Sequence, residues 1–336
     1  RLNGGITINS DLLITTNGDG GLDTGQNTAG NITLTHDATV NSQTNESNDL
    51  ELRSGTGAIN INANLGDGAV GTTRALESVV ISDTTGLVTF GGTDTITAAQ
   101  DPGPVTLVRT NSEINLGKGT EDDDVITNGI TLNAGGANNG SDTTLELRTL
   151  GNSTRSNVRL NGFLTLQSDV LVTTNGDAGL DANQNFDGDI LLTHSAVTDS
   201  ATGENNDLTL RSGVGTISVN ANIGATDALQ SLTIEDTTGT VTFGGADDAN
   251  QNGTEDLGPL ALVRSVGTID LGAGVGDADD DDVITGGIVF NGGGDNDNDS
   301  VGAGNGDSLL ELRTTGGGDV RINGGITINS DVLVTT

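Results

Sequence analysis

The residues best suited to chemistry are aspartates. In "DNDNDS", Asp295, Asp297 and Asp299 occupy alternate positions, the opening spacing of a calcium loop in which side-chain oxygens converge on one ion. The closing carboxylate of such a loop is missing, because the twelfth position from Asp295 is Gly306, with Asp307 next to it. "DADDDD", which carries Asp277 and Asp279, matches "EDDD" from Glu121 to Asp124. The pair Asp19 and Asp23 of "NGDGGLD" recurs as Asp177 and Asp181 of "NGDAGLD". Each run taken singly reads as solvated charge that keeps a chain soluble. Taken together, on a chain with a net charge of −35, they predict at least one bound Ca2+, since a divalent cation relieves the self-repulsion.

The other polar residues read as structure. Nine of the eleven arginines recur at equivalent places: Arg1, Arg159 and Arg321; Arg53 and Arg211; Arg109 and Arg264; Arg148 and Arg313. Most follow an L-x-L strand, which predicts stacking in register at one edge, each guanidinium facing carboxylates or turn carbonyls of the next layer. An anion-binding stripe is the alternative, and the surrounding acidity argues against it. His36 and His194 are equivalent, in "ITLTH" and "LLTH", and two histidines with no shared partner make a poor metal site. Asp83 and Asp236 open "DTTG" turns, where Asp is favoured for its own backbone hydrogen bonds. Acid–base hydrolysis needs two carboxylates converging in a cleft. No G-x-S-x-G, H-E-x-x-H or G-x-x-x-x-G-K-[ST] motif occurs, and Lys118 is the one lysine. The chain is expected not to be an enzyme.

Composition narrows the field further. The 336 residues include 53 glycines and five Phe, with no Cys, Met, Trp or Tyr. Disulfides and thiolate metal sites are excluded. Nucleic acid is not an expected partner, because its phosphates call for clustered Lys and Arg. No run of about 20 apolar residues is present to span a membrane as a helix. The hydrophobic fraction of 32% is almost wholly aliphatic and regularly placed, which argues against acidic disorder.

The elements that must position these residues are repeats. "RLNGGITINSDLLITTNGDGGLD" from Arg1 returns from Arg159 as "RLNGFLTLQSDVLVTTNGDAGLD", and from Arg321 as "RINGGITINSDVLVTT". Within the copies, "NDLELRSGTGAININANLG" from Asn48 matches "NDLTLRSGVGTISVNANIG" from Asn206. Insertions fall only in Gly/Asp/Asn stretches, as surface loops on a fixed scaffold allow. Three units result: 1–158, 159–320, and the start of a third copy at 321–336. Four-residue alternating strands joined by short turns, as in "LELR-SGTGA-ININ", predict an all-β chain. First strands spaced by about 20 residues suit one coil of a β-solenoid, in which coils stack about 4.8 Å apart on one continuous aliphatic core. The expected count is about 14 coils, a rod about 70 Å long at that spacing. A tandem of β-sandwiches is the competing architecture.

The "G-x-ITIN-x-D-x-L-x-T-T" and "L-x-L-R-S-G-x-G-x-I-x-I/V-N" modules resemble, over the whole chain, the repeat regions of filamentous-haemagglutinin-like adhesins and autotransporter passenger domains. The resemblance implies a secreted, right-handed parallel β-helix at a bacterial cell surface that builds a fibre or adheres to something. Neighbouring copies of the repeat, end to end or laterally, and a cell-surface or glycan ligand are the partners it implies. A calcium-dependent binding module and a polysaccharide-processing β-helix enzyme are the rival functions. The chain starts without Met, and thirteen of its last sixteen residues match residues 1–16, which suggests a window on a longer array.

Overall fold

The computed structural model describes residues 1–17, 30–35, 38–66, 74–91, 105–118, 125–134, 143–150, 156–174, 188–193, 195–244, 260–273, 283–292 and 309–336. Strands and turns make up the described residues, and no helix appears among them. Every strand pair among them is parallel. That pairing fits a parallel β-helix and excludes tandem sandwiches, whose sheets are antiparallel.

The chain visits three sides in strict rotation. Leu2 lies on the first side, Ile6–Ile8 on the second and Leu12–Thr15 on the third. One turn later Ile32–Leu34, Val40–Ser42 and Leu50–Arg53 take the same three sides, each in register with its predecessor. The first side is passed at Leu2, Ile32–Leu34, Ile59–Ile61, Val88–Phe90, Ile126–Leu132, Gly162–Leu166, Thr198–Ser200, Ile223, Leu262–Ser265, Leu310–Thr314 and Val332–Thr335. These passages open ten complete coils and the first side of an eleventh. The rod is therefore about 50 Å long rather than about 70 Å at the usual spacing. The count falls short of 14 because a coil has three sides, whereas the strand–turn–strand unit covers only two. Leu107–Lys118 shows the corner directly: 107–109 pairs on the second side and 114–116 on the third, within one strand.

Alternation fixes which residues point inward. Along Leu50–Arg53 the leucines Leu50 and Leu52 are buried while Glu51 and Arg53 are half-buried, and Leu208–Arg211 repeats this. Fully burying such a side chain is worth about 1.5–3 kcal/mol, and the buried aliphatics join into one cluster running from Ile8 to Leu312. Phe243 stacks on Phe290 of the next coil, with ring centroids 5.6 Å apart.

Candidate functional site

The nine aspartates expected to bind calcium, namely Asp19, Asp23, Asp177, Asp181, Asp277, Asp279, Asp295, Asp297 and Asp299, lie outside the described residues, as do His36 and His194. Among the described residues no group of three or more His, Asp or Glu side chains is placed to hold a metal. Asp83 and Asp236 have φ of 44° and 45°, the left-handed conformation that Asp tolerates in turns. Their carboxylates stand 3.3 Å from Arg53 and 3.5 Å from Arg211, which assigns them to the coil corner.

The arginines face carboxylates and carbonyls, as expected, but they do not share one edge. Arg211, on the second side, pairs with Glu235 of the next coil. Its equivalent Arg53 sits on the third side and pairs with Glu51 at 2.7 Å. Arg264 Nη2 donates to the carbonyls of Ala225 and Thr226 at 3.2 and 2.8 Å, and Arg159 Nη1 donates to Gly117 O at 2.9 Å. Arg148 stacks in register on Arg109 on the second side, while Arg313 stacks on Arg264 on the first. Glu146 and Glu311, two residues earlier on the same strands, pair with Arg148 and Arg313 and offset that like-charge stacking.

The displacement has a simple cause. Leu2 is on the first side of the first coil, its equivalent Leu160 on the third side of the fifth, and Ile322 on the second side of the tenth. One copy thus spans fourteen sides, four coils and two thirds of a turn, and equivalent residues land on a different side in each copy.

The acidic and amide side chains at strand starts work between coils. Asp11 Oδ1 accepts the N–H of Asp49 at 3.1 Å, and Asp169 Oδ1 accepts that of Asp207 at 2.9 Å. Asn64 Oδ1 takes the N–H groups of Thr106 and Leu107, and Asn222 Oδ1 those of Ala261 and Leu262, all within 3.1 Å. Asp207 also accepts Ser231 Oγ at 2.5 Å. Burial, helped by the charge of Asp169, holds its pKa above the usual carboxylate range against that hydrogen bond. Glu51 shows the opposite balance. Burial would raise it, but hydrogen bonds from Ser82 at 2.6 Å and from Arg53, with the charge of Arg53, hold it below the usual range.

Asn48 and Asn206 are central residues that the repeat pattern displayed but that were not singled out. Asn206 Nδ2 donates to Leu166 O at 2.7 Å and Ser200 Oγ at 3.2 Å, and its backbone N–H donates to Ser200 Oγ at 3.1 Å. Asn48 repeats the pattern with Ile8 O and Ser42 Oγ. Their signal was the shared "NDL" opening each L-x-L-R strand.

In the early coils the corner between the third side and the first is a stack of glycines. A Cβ on Gly57 would lie 2.0 Å from Gly30 O, and one on Gly86 1.8 Å from Gly57 O. Gly188, Gly215 and Gly239 form the equivalent stack in the second copy, at the corner between the second side and the third. Ser54 Oγ and Ser212 Oγ close these turns onto Gly57 O and Gly215 O at 2.7 and 2.8 Å. What the described corners do chemically is join one coil to the next. No protein-family model, curated protein or solved structure matches this chain.

Proposed function

We propose that the chain is a non-catalytic, structural and adhesive segment of a long repetitive fibre on the outside of a bacterial cell, as its resemblance to filamentous-haemagglutinin-like adhesins implies. The observation that carries this reading is the seam between copies. Val158–Leu160 pairs with 114–116 before it and with Ile190–Leu192 after it, with the register and burial of any other coil. Repeats joined this way stack without a break, so a tandem array extends one rod instead of adding domains. Load along such a rod is borne by backbone ladders and an uninterrupted aliphatic core. Immunogold electron microscopy of the producing cells with antibody to this chain tests the proposal. Label along thin filaments projecting from the surface is expected, and label confined to the cell interior overturns it.

A second reading, a calcium-dependent binding module, is favoured by the recurrence of Asp19 and Asp23 as Asp177 and Asp181. It requires Ca2+ uptake by calorimetry and a melting temperature that falls on adding EDTA. A chain blind to both has no such site.

A further inference from the structure

At one corner the two copies share a backbone frame but not its charges. The strand Thr198–Ser200 ends at the corner between the first side and the second. Its equivalent in the first copy is Val40–Ser42. In each copy the last strand residue donates its N–H to a carbonyl of the next coil, Ser200 to Asp227 O and Ser42 to Arg74 O, both at 3.1 Å. The side chains around this shared bond differ. Where the first copy has Asn41 and Arg74, the second has Asp199 and Asp227. One positive charge has become two negative ones.

Asp199 is 2% exposed. Its Oδ1 accepts the N–H of Thr226 at 3.1 Å, which holds the carboxylate against the residue that precedes Asp227. Its Oδ2 is buried and has no hydrogen-bond donor. Asp227 is half-buried, and its Oδ2 accepts Thr202 Oγ1 at 3.0 Å. Both carboxylates therefore border the turn that follows Ser200. Arg264 reaches this corner from the following coil, where its Nη2 donates to the carbonyls of Ala225 and Thr226. Among the described residues no arginine or lysine forms an ion pair with Asp199 or Asp227. A buried carboxylate is costly unless it is paired or ligates a metal. Ca2+ suits such a corner, because it takes carboxylate oxygens in flexible geometry and completes its shell with water.

We propose that the Asp199–Asp227 corner of the second copy binds a hard divalent cation of the Ca2+ kind, and that the Asn41–Arg74 corner of the first copy does not. Asp199 Oδ2 and the Asp227 carboxylate supply the anionic oxygens. The site shares no residue with the calcium reading of Asp19, Asp23, Asp177 and Asp181, and it is independent of the fibre reading. Hydrogen exchange of the intact 336-residue chain, with Ca2+ and with EDTA, tests it. At a free Ca2+ concentration about ten times the dissociation constant, exchange at the Ser200 and Thr226 amides should slow about tenfold by mass action. The Ser42 amide should not respond. Asp199→Asn keeps an acceptor for the Thr226 N–H and removes the charge, so the slowing should vanish. In EDTA this variant should melt at or above the native chain, because an uncompensated buried charge is gone. Slowing that survives in Asp199→Asn, or a variant that melts below the native chain in EDTA, overturns the proposal. Slowing confined to other segments also overturns it, and leaves the other calcium reading standing.

Discussion

Adding one methyl group at Gly215 should open the rod between two coils. The residue sits in the turn that leads from Leu208–Arg211 to Ile217–Val219. An alanine Cβ there would lie 2.0 Å from Gly188 O and 2.5 Å from its carbonyl carbon. Relieving that contact to about 3.2 Å needs a shift of about 1.2 Å, a quarter of the coil spacing of ~4.8 Å. The obstacle is backbone, so no side chain can rotate away. The flanking bonds across the same gap, Ile190 N to Thr216 O at 2.9 Å and Thr174 N to Arg211 O at 2.9 Å, would stretch beyond hydrogen-bond range. Overpacking costs about 1–3 kcal/mol, and two lost ladder bonds add about 1 kcal/mol each. The expected destabilisation of Gly215→Ala is therefore about 3–5 kcal/mol. The usual benefit of Gly→Ala through the unfolded chain, about 0.4–1 kcal/mol, offsets little of it. Gly5→Ala is the control, since its nearest neighbour atom is Thr39 Oγ1 at 3.7 Å. Urea unfolding followed by circular dichroism compares the two variants, and hydrogen exchange locates the effect. Because each coil touches only its neighbours, faster exchange should concentrate at the amides of Ile190 and Thr174 and spare Ile61. A Gly215→Ala chain as stable as Gly5→Ala would refute the close stacking of these turns.

Asn206→Ala removes the donor that ties Leu166 O and Ser200 Oγ; a loss of about 2–3 kcal/mol in urea is expected, and a loss below about 0.5 kcal/mol would mean that water replaces the amide. Phe243→Ala bares the face of Phe290 and should cost about 3–5 kcal/mol, read from the same unfolding curves. Asp207→Asn should stabilise the chain at neutral pH. The raised carboxyl takes up a proton in the folded state first, so stability from this group rises as pH falls from above its folded pKa to the ordinary carboxylate value. Native chain and variant should therefore converge in acid, and a difference that widens there would reverse the sign of the argument. Glu51→Gln acts in the opposite sense. The lowered carboxylate contributes above the ordinary carboxylate value and loses that contribution as pH falls through its folded pKa, so the variant should be weaker at neutral pH and equal to the native chain in strong acid.

Strand content and core were legible because they follow from a period of two. Leu50, Leu52, Leu208 and Leu210 alternate with polar residues and are buried as that alternation requires. The coil was not legible, because its third side is often nearly silent in sequence. At Leu65 and Ile223 a side is crossed by a single bridging residue, which carries no alternation to read. At Leu107–Lys118 two sides run through one strand without punctuation. Counting strand–turn–strand units therefore overcounted coils and missed the rotation between copies, and with it the fact that equivalent arginines occupy different sides. The asparagine and aspartate clasps were hidden for another reason. Their partners lie 27 to 43 residues away, and only the stacking brings Asn31 to Ala58 or Asn64 to Leu107. The calcium candidates lie wholly outside the described residues.

The two-thirds turn also constrains what the repeat sequence encodes. Ile6 and Ile8 serve the second side, their equivalents Leu164 and Leu166 the first, and Ile326 and Ile328 the third. One stretch of sequence must therefore fit all three sides of the coil. This explains why most passages use the same minimal device, two inward aliphatics separated by one outward polar residue as in Leu50–Arg53 and Ile217–Val219, and why large rings are rare in the core. A Trp shaped to one corner of the triangle would meet a different corner in the next copy. It also explains why copies tolerate loops of different length, as in "GDGAVGTTRALES" against "GATDALQS". A loop leaves and re-enters at a corner, so its length changes neither the count of sides nor the phase of the copies that follow. Losing a whole side would keep the core continuous yet turn every later copy by a third of a revolution. The order of sides, more than the identity of any residue on them, sets which way each copy faces.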